Sequence, residues 1–221
     1  MAGDERKNEK GRTRDMIKLS VIMPLYNQRD MLVIGLDSVP KRADIEIIVI
    51  DDCSTDDSFT IVEKYQKDTG KNITLLHNER NRGIGYTVNR GLDVAKGEYI
   101  VQLDSDGDYF INLENAMDEL DGTDIIYFSQ EINDGKFWIQ SPNARYPGSA
   151  KFVRREFIGD SREPHLENSE DNAFYKILMS KHPTEKFIDV KRMYLHYNYP
   201  RKGSLTWNVQ NNITPAGMKR E

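Results

Sequence analysis

The sequence predicts an α/β fold: a mostly parallel sheet with helices on both faces and a small C-terminal region added to it. Two observations predict it. In the first half of the chain, apolar runs rich in β-formers alternate four times with helical patterns, the rhythm of strand–helix–strand crossovers. Three of those four runs end in polar groups, at Asn27, at Asp51-Asp52 and at Asp104 to Asp106. Sheets of this kind bind ligands beyond the carboxyl ends of their strands.

The first strand is expected over 17–23 and is stopped by Pro24, which cannot donate to a ladder. Pro24-Leu25-Tyr26-Asn27 then forms a loop, and a helix over about 30–38 leads to Pro40. The second strand, over 45–50, runs into Asp51-Asp52-Cys53-Ser54-Thr55-Asp56-Asp57, where one of Ser54, Thr55 and Asp56 caps the next helix. That helix covers about 57–67, with Phe59, Ile61, Val62 and Tyr65 apolar and Gly70 just past its end. A short strand over 73–76, the loop Asn81-Arg82-Gly83-Ile84-Gly85 and a helix over 86–95 follow. The fourth strand, centred on Tyr99-Ile100-Val101-Gln102-Leu103, ends in Asp104, Asp106 and Asp108.

Beyond Asp108 the rhythm changes. A short helix is expected over 113–120, then strands over 124–131 and 136–139 joined through Asn133-Asp134-Gly135, a strong hairpin signal. Polar loops over 141–148 and 159–168 lead to a helix starting near 169 that carries Ala173, Phe174, Ile177 and Leu178. A strand-like run over 190–199 comes last. Residues 1–16 and 208–221 read as tails, leaving 17–108 and 109–207 as two halves of one domain.

Composition narrows the class. With 38% hydrophobic and 30% charged residues the chain suits a globular protein with a well-solvated surface. A net charge of -5 argues against generic nucleic-acid binding. The single cysteine, Cys53, allows no internal disulfide and suits a reducing compartment. No apolar run approaches the roughly 18 residues of a membrane span, and the start lacks the apolar core of a signal peptide. A cytoplasmic protein is expected, with peripheral membrane association left open.

The chemistry concentrates at the fourth strand. Carboxylates at alternate positions repel one another and stay ionised only with a cation or donors between them. Asp-x-Asp at a strand end offers the few hard oxygen ligands that a divalent ion carrying a diphosphate requires. A calcium loop fails, because its sixth and twelfth positions hold Tyr109 and Asn115. An Asp-x-Asp phosphatase would carry the motif on its first strand and leave Asp51-Asp52 unexplained. A dinucleotide fingerprint at Gly83-Ile84-Gly85 lacks its third glycine, since that position is Val88. His77, His165 and His182 show no metal spacing and read as ordinary surface or core residues.

Three stretches now combine: Ser20-Val21-Ile22-Met23-Pro24-Leu25-Tyr26-Asn27, Val49-Ile50-Asp51-Asp52-Cys53-Ser54-Thr55-Asp56 and Gly97-Glu98-Tyr99-Ile100-Val101-Gln102-Leu103-Asp104-Ser105-Asp106. In order and spacing they resemble the sequence blocks of family 2 glycosyltransferases, inverting enzymes of GT-A fold. The resemblance implies a nucleoside-diphosphate sugar donor, with UDP the commonest nucleotide, and a Mn²⁺ or Mg²⁺ cofactor. Its acceptors are saccharide, lipid-linked or other hydroxyls, a modified base included.

Carried across, it puts Pro24, Tyr26, Asn27, Arg82 and Asn89 around the nucleoside and Asp52 on its base. Asp104 falls by the ribose with Ser105 beside it, and Asp106 on the metal. Glu170-Asp171 matches a Glu-Asp pair whose Asp is the general base. Arg201-Lys202-Gly203-Ser204 resembles a loop that closes over the diphosphate, and His196 an added metal or phosphate contact. Trp138 and Trp207 are candidates to stack on acceptor sugars. The family's Asp-x-Asp-Asp reads Asp-Ser-Asp-Gly here, with Asp108 one place on, and the segment from Asp106 to Asp171 is compact. A nucleotide-sugar-binding protein without catalysis is the other reading, against which Asp106 and Asp171 both stand.

Overall fold

The computed structural model describes residues 16–132, 137–138, 150–164, 166, 170–188 and 194–197, with the backbone alone at 130–132, 137–138 and 194–197. Its first half is the strand–helix alternation: β1 (Leu19–Leu25), α1 (Leu32–Ser38), β2 (Ile45–Asp51), α2 (Ser58–Thr69), β3 (Ile73–His77), α3 (Ile84–Val94) and β4 (Tyr99–Gln102). β1 pairs in parallel with both β2 and β4, and β2 with β3. Every residue of β1 and β2 is buried, as befits strands covered on both faces. Alternation then sorts them. Leu19, Val21, Met23 and Leu25 join the core under α1 and α2, while Ile22, Ile48 and Ile50 join the one under α3.

Pro24 does not stop β1; it lies inside it, opposite Ile50. The β4 ladder ends at the Ile22–Gln102 pair, and the Ile22 carbonyl already accepts from Leu103 beyond it. Residues two apart face the same side, so Pro24 lacks its N–H only where no ladder partner remains. Its carbonyl there accepts the Ser105 hydroxyl at 2.7 Å.

The second half holds β5 (Tyr109–Phe110), α4 (Leu113–Met117), β6 (Ile125–Tyr127), β7 (Ser129–Ile132), β8 (Phe137–Trp138), β9 (Lys151–Arg154), α5 (Arg155–Ile158), α6 (Glu170–Met179), β10 (Glu185–Phe187) and β11 (Tyr194–Tyr197). The single strand expected over 124–131 is two strands in two sheets. They part at Phe128, whose N–H turns to the Ala150 carbonyl at 3.2 Å. The main sheet has the order β10-β6-β9-β4-β1-β2-β3. β9 runs antiparallel to both neighbours, β4 and β6. It was not legible in sequence because its two buried residues, Phe152 and Val153, lie between Lys151 and Arg154. β10 was equally silent. A second sheet has the order β5-β11-β7-β8, with β7 and β8 antiparallel. The Asn133-Asp134-Gly135 turn between them lies outside the described residues.

At the opposite end of the sheet from these carboxylates, Glu46 accepts from the Ser20 hydroxyl and the Lys96 N–H, both at 2.6 Å. Gly97 closes that corner: a Cβ there would lie 2.4 Å from the Ser20 nitrogen. Gly97→Ala should therefore destabilise the protein by about 1–3 kcal/mol, read as a lowered midpoint in urea unfolding.

Candidate active site

Beyond the carboxyl ends of β1, β2 and β3, short polar loops are stitched together through side chains. Asn27 adopts a left-handed backbone, φ 53°, and its side-chain oxygen accepts the Thr55 N–H at 2.8 Å. Its own N–H donates to the Ser54 hydroxyl at 3.0 Å. Asp56 accepts the Ser58 N–H at 3.0 Å, so it serves the start of α2 from one place before the cap position. Cys53 also has positive φ, 62°.

The two aspartates after β2 do different things. Asp51 is fully buried and meets His77 Nδ1 at 2.8 Å. Its Oδ1 has no hydrogen-bond partner among the described residues. His77, read from sequence as ordinary, thus belongs to this strand-end cluster, and only the parallel register of β3 reveals it. Asp52, 4% exposed, accepts from Asn78 Nδ2 at 2.7 Å and from the N–H groups of Arg82 and Gly83, both at 2.9 Å. Three donors on one carboxylate fix the loop before α3. The Arg82 guanidinium lies 4.2 Å from the Tyr86 ring centroid.

Asn89, on α3, donates its amide to the Glu163 carbonyl and accepts the Glu163 N–H, both at 2.8 Å, and so clamps that segment.

At the end of β4, Asp104 and Asp106 are partly exposed, and Ser105 and Asp108 are buried. Gln102 Nε2 donates to Asp104 at 2.8 Å. Burial of its carboxyl and then the charge of Asp106 push Asp104 up to about 6, with Asp171 adding to the rise. Asp171, far downstream, is therefore an electrostatic neighbour of the strand end. It is exposed in the first turn of α6, and its Oδ1 accepts the Asn172 N–H at 2.8 Å. Glu170 beside it is buried, which raises its pKa. Gly85 lets α3 approach this point, since a Cβ there would meet the Pro164 carbonyl at 3.0 Å and Glu170 Cγ at 3.3 Å.

Two further groups escaped the sequence reading. Lys151 and Glu163 share a cavity with Gln102, Ile22, Val88 and Phe174. Burial pushes Glu163 up to about 8 against the pull of Lys151. Burial pushes Lys151 down to about 8, while Asp171, Glu163 and Asp104 pull the other way. Neither residue lies in a motif, and a strand one turn of sheet away brings them together. Among the described residues no group of three or more His, Cys, Asp or Glu side chains is gathered as for a metal ion. No helix of the described residues is long and apolar enough to cross a membrane.

A family model described as glycosyl transferase family 2 matches residues 20–214. The chain belongs to glycosyl transferase family 2. GlyG, a glycosyltransferase of Streptococcus pneumoniae, is 34% identical over 128 residues, which cover 54% of this chain and 42% of that protein. TuaG of Bacillus subtilis, a glycosyltransferase of teichuronic acid biosynthesis, is 28% identical over 183 residues, covering 74% of this chain and 72% of its own. Among solved structures, Staphylococcus aureus TarS (residues 1–349) superposes with a TM-score of 0.70 at 28% identity, covering 82% of this chain and 60% of that one. The same protein matches in complex with UDP and with UDP-GlcNAc, with a TM-score of 0.69 in each case. The chain thus spans less than two thirds of GlyG and of the matched TarS chain. The superposition supports the GT-A architecture, with its mostly parallel sheet, read from the sequence.

For this family 2 chain, the structure gathers Pro24, Tyr26, Asn27, Asp52, Arg82, Asp104, Ser105 and Asp106 at adjoining strand ends, with Asp171 an electrostatic neighbour of Asp104 and Glu170 beside Asp171. Arg201, Lys202, Ser204 and Trp207 lie outside the described residues, as do the side chains of His196 and Trp138. Membership in this family displaces the phosphatase reading, whose motif belongs on a first strand rather than on β4.

Glu163 gives a pH signature. Its folded pKa stands above its ordinary 4.5, so its stabilising contribution is complete below 4.5 and lost as pH rises through about 8. Glu163→Gln keeps the neutral form at every pH. Its melting temperature relative to the parent should climb between pH 5 and pH 8, by an amount worth a few kcal/mol, in parallel thermal scans.

Proposed function

We propose that this chain transfers a sugar from a nucleoside-diphosphate sugar to an acceptor hydroxyl with inversion, Asp171 acting as general base and Asp106 serving the metal–diphosphate. The observation that carries the reading is the electrostatic contact between Asp104, at the end of β4, and Asp171, at the start of α6. It joins a donor-side acid to a base across a gap in sequence, which is what a single displacement requires. UDP is the proposed nucleotide, supported by the likeness to TarS in its complexes with UDP and UDP-GlcNAc. The acceptor is proposed to be a saccharide or a lipid-linked hydroxyl.

The loops after β1, β2 and β3 supply the nucleoside side. Asp52 is the organiser there: it fixes Arg82 and Gly83 and leaves one lone-pair direction for a donor on the base. Asn27 and Tyr26 close the other wall.

Asp104 and Asp106 fit a Mn²⁺ or Mg²⁺ ion. Burial and then the charge of Asp106 raise Asp104 toward neutrality, and a divalent cation beside the pair would offset the repulsion between them. When bound, the ion supplies positive charge to the departing diphosphate.

Asp171 takes the acceptor proton. The first turn of α6 leaves N–H groups without intrahelical partners, and the helix macrodipole favours negative charge there. Its exposure leaves it open to an incoming hydroxyl. Glu170, buried behind it, is placed to orient that turn rather than to react.

Two variants separate the roles. Asp106→Ala should abolish Mn²⁺-dependent binding of UDP-sugars in titration calorimetry, while Asp171→Asn should bind them as the parent does. Asp171→Asn should lower UDP release on transfer by about 10²–10⁴-fold. Absence of binding to every nucleotide sugar tried, with Mn²⁺ present, sinks the transferase reading.

A further inference from the structure

His77 is the last residue of β3, and the ladder sets it level with Asp51, the last residue of β2. Paired residues point to the same face of a sheet, and the two side chains meet there, His77 Nδ1 to Asp51 Oδ2 at 2.8 Å. A carboxylate oxygen accepts, so Nδ1 is the donor. The ring is aimed from two sides. Arg90 of α3 donates to the His77 carbonyl at 2.8 Å, and Phe59 of α2 meets the ring edge-on, with 5.5 Å between centroids. The His77 side chain is nonetheless 47% exposed, while that of Asp51 is wholly buried. Packing therefore explains little about a histidine at this place; its bond to Asp51 explains more.

The same Asp51 oxygen accepts the Ser54 N–H at 3.2 Å, across the turn that holds Cys53 at φ 62°. A residue with a Cβ rarely adopts that backbone and keeps it only where its surroundings hold it. Ser54 passes the restraint on. Its hydroxyl accepts the Asn27 N–H, and the Asn27 side chain in turn accepts the Thr55 N–H. Asn27 is itself left-handed, so the turns after β1 and β2 lock each other. Asp51 Oδ1 has no partner among the described residues, so without His77 the carboxyl keeps a single hydrogen bond, the one from Ser54. A buried carboxylate with one donor is costly, and turning it toward water shifts the turn it holds.

We propose that His77 is a positioning residue for the nucleotide: through Asp51 and Ser54 it holds the turns that carry Asn27 and Asp52 in the shape that receives the base. The proposal rests on the transferase reading given above. On that reading Asn27 and Asp52 meet the nucleotide, and His77 acts through them.

The test uses the full chain and two independent readouts. His77→Ala removes the donor, and His77→Asn keeps one, since the Asn amide nitrogen stands in for Nδ1. The first readout needs no nucleotide. Cys53 is the single cysteine of the chain, so the rate at which an aromatic disulfide reagent labels the protein reports on this turn. His77→Ala should raise that rate about three- to tenfold, the worth of one hydrogen bond, and His77→Asn should restore most of it. Gly97→Ala, at the far end of the sheet, should leave the rate near that of the parent. An unchanged rate in His77→Ala overturns the proposal. So does an equal rise in Gly97→Ala, which would trace the labelling to global unfolding. Should His77→Ala not fold, His77→Leu, which keeps bulk without a donor, takes its place.

The second readout is UDP affinity with Mn²⁺ in titration calorimetry, joined to the donor KM in turnover of UDP-GlcNAc. His77→Ala should weaken both by about three- to tenfold with kcat unchanged, and His77→Asn should recover both. An unchanged UDP affinity, or a lower kcat at unchanged KM, overturns the proposal. If the parent protein binds no UDP, the transferase reading fails and the proposal falls with it, even where Cys53 reports a loosened turn.

Discussion

Crowding of negative charge at the carboxyl ends of parallel strands is the constraint on which the rest of this molecule depends. Parallel pairing points β1, β2, β3 and β4 the same way, so Asn27, Asp51, Asp52, His77, Asp104 and Asp106 all emerge at one edge. Carboxylates placed so close are tolerated only where something opposes their charge. Each acid here meets a different answer. Asp51 meets His77, Asp52 meets two backbone N–H groups and Asn78, and Asp104 has Gln102 with Lys151 nearby.

Those answers differ in kind. Asp52 is buried and accepts three hydrogen bonds, so it holds the loop before α3 in place. Asp104 is raised toward neutrality, and its neighbour Asp106 is partly exposed. Perturbed carboxyl groups of this kind gather at functional sites. The left-handed backbones of Asn27 and Cys53 belong to the same picture, for they turn short loops tightly enough to keep the strand ends open.

The antiparallel strand β9 makes the site more than a donor pocket. Because it runs against β4 and β6, its first residue lies at the edge where the parallel strands finish. That places Lys151 beside α6, and the Asn89 clamp on Glu163 holds the segment that leads into the helix. The strand ends and the start of α6 are thus joined by side chains that lie in no motif.

By itself the sequence determined the alternating half of the fold and the residues at its strand ends. The reason is local: apolar runs, helical periodicity and strand-terminal acids are all written in contiguous residues. It also placed Glu170 and Asp171 at a helix start, through a dipeptide and the pattern after it. The sequence misjudged Pro24, because whether a proline breaks a strand depends on which side still has a partner. It passed over the contacts of Asn89 and His77 for the same reason, since their partners are 74 and 26 positions away. Only the tertiary structure decided β9 and β10, the parting of β6 from β7, and the meeting of Lys151 and Glu163 in one cavity. Short strands edged with charge carry no periodic signal, and burial, which sets the charge of both groups, is a property of the folded chain alone.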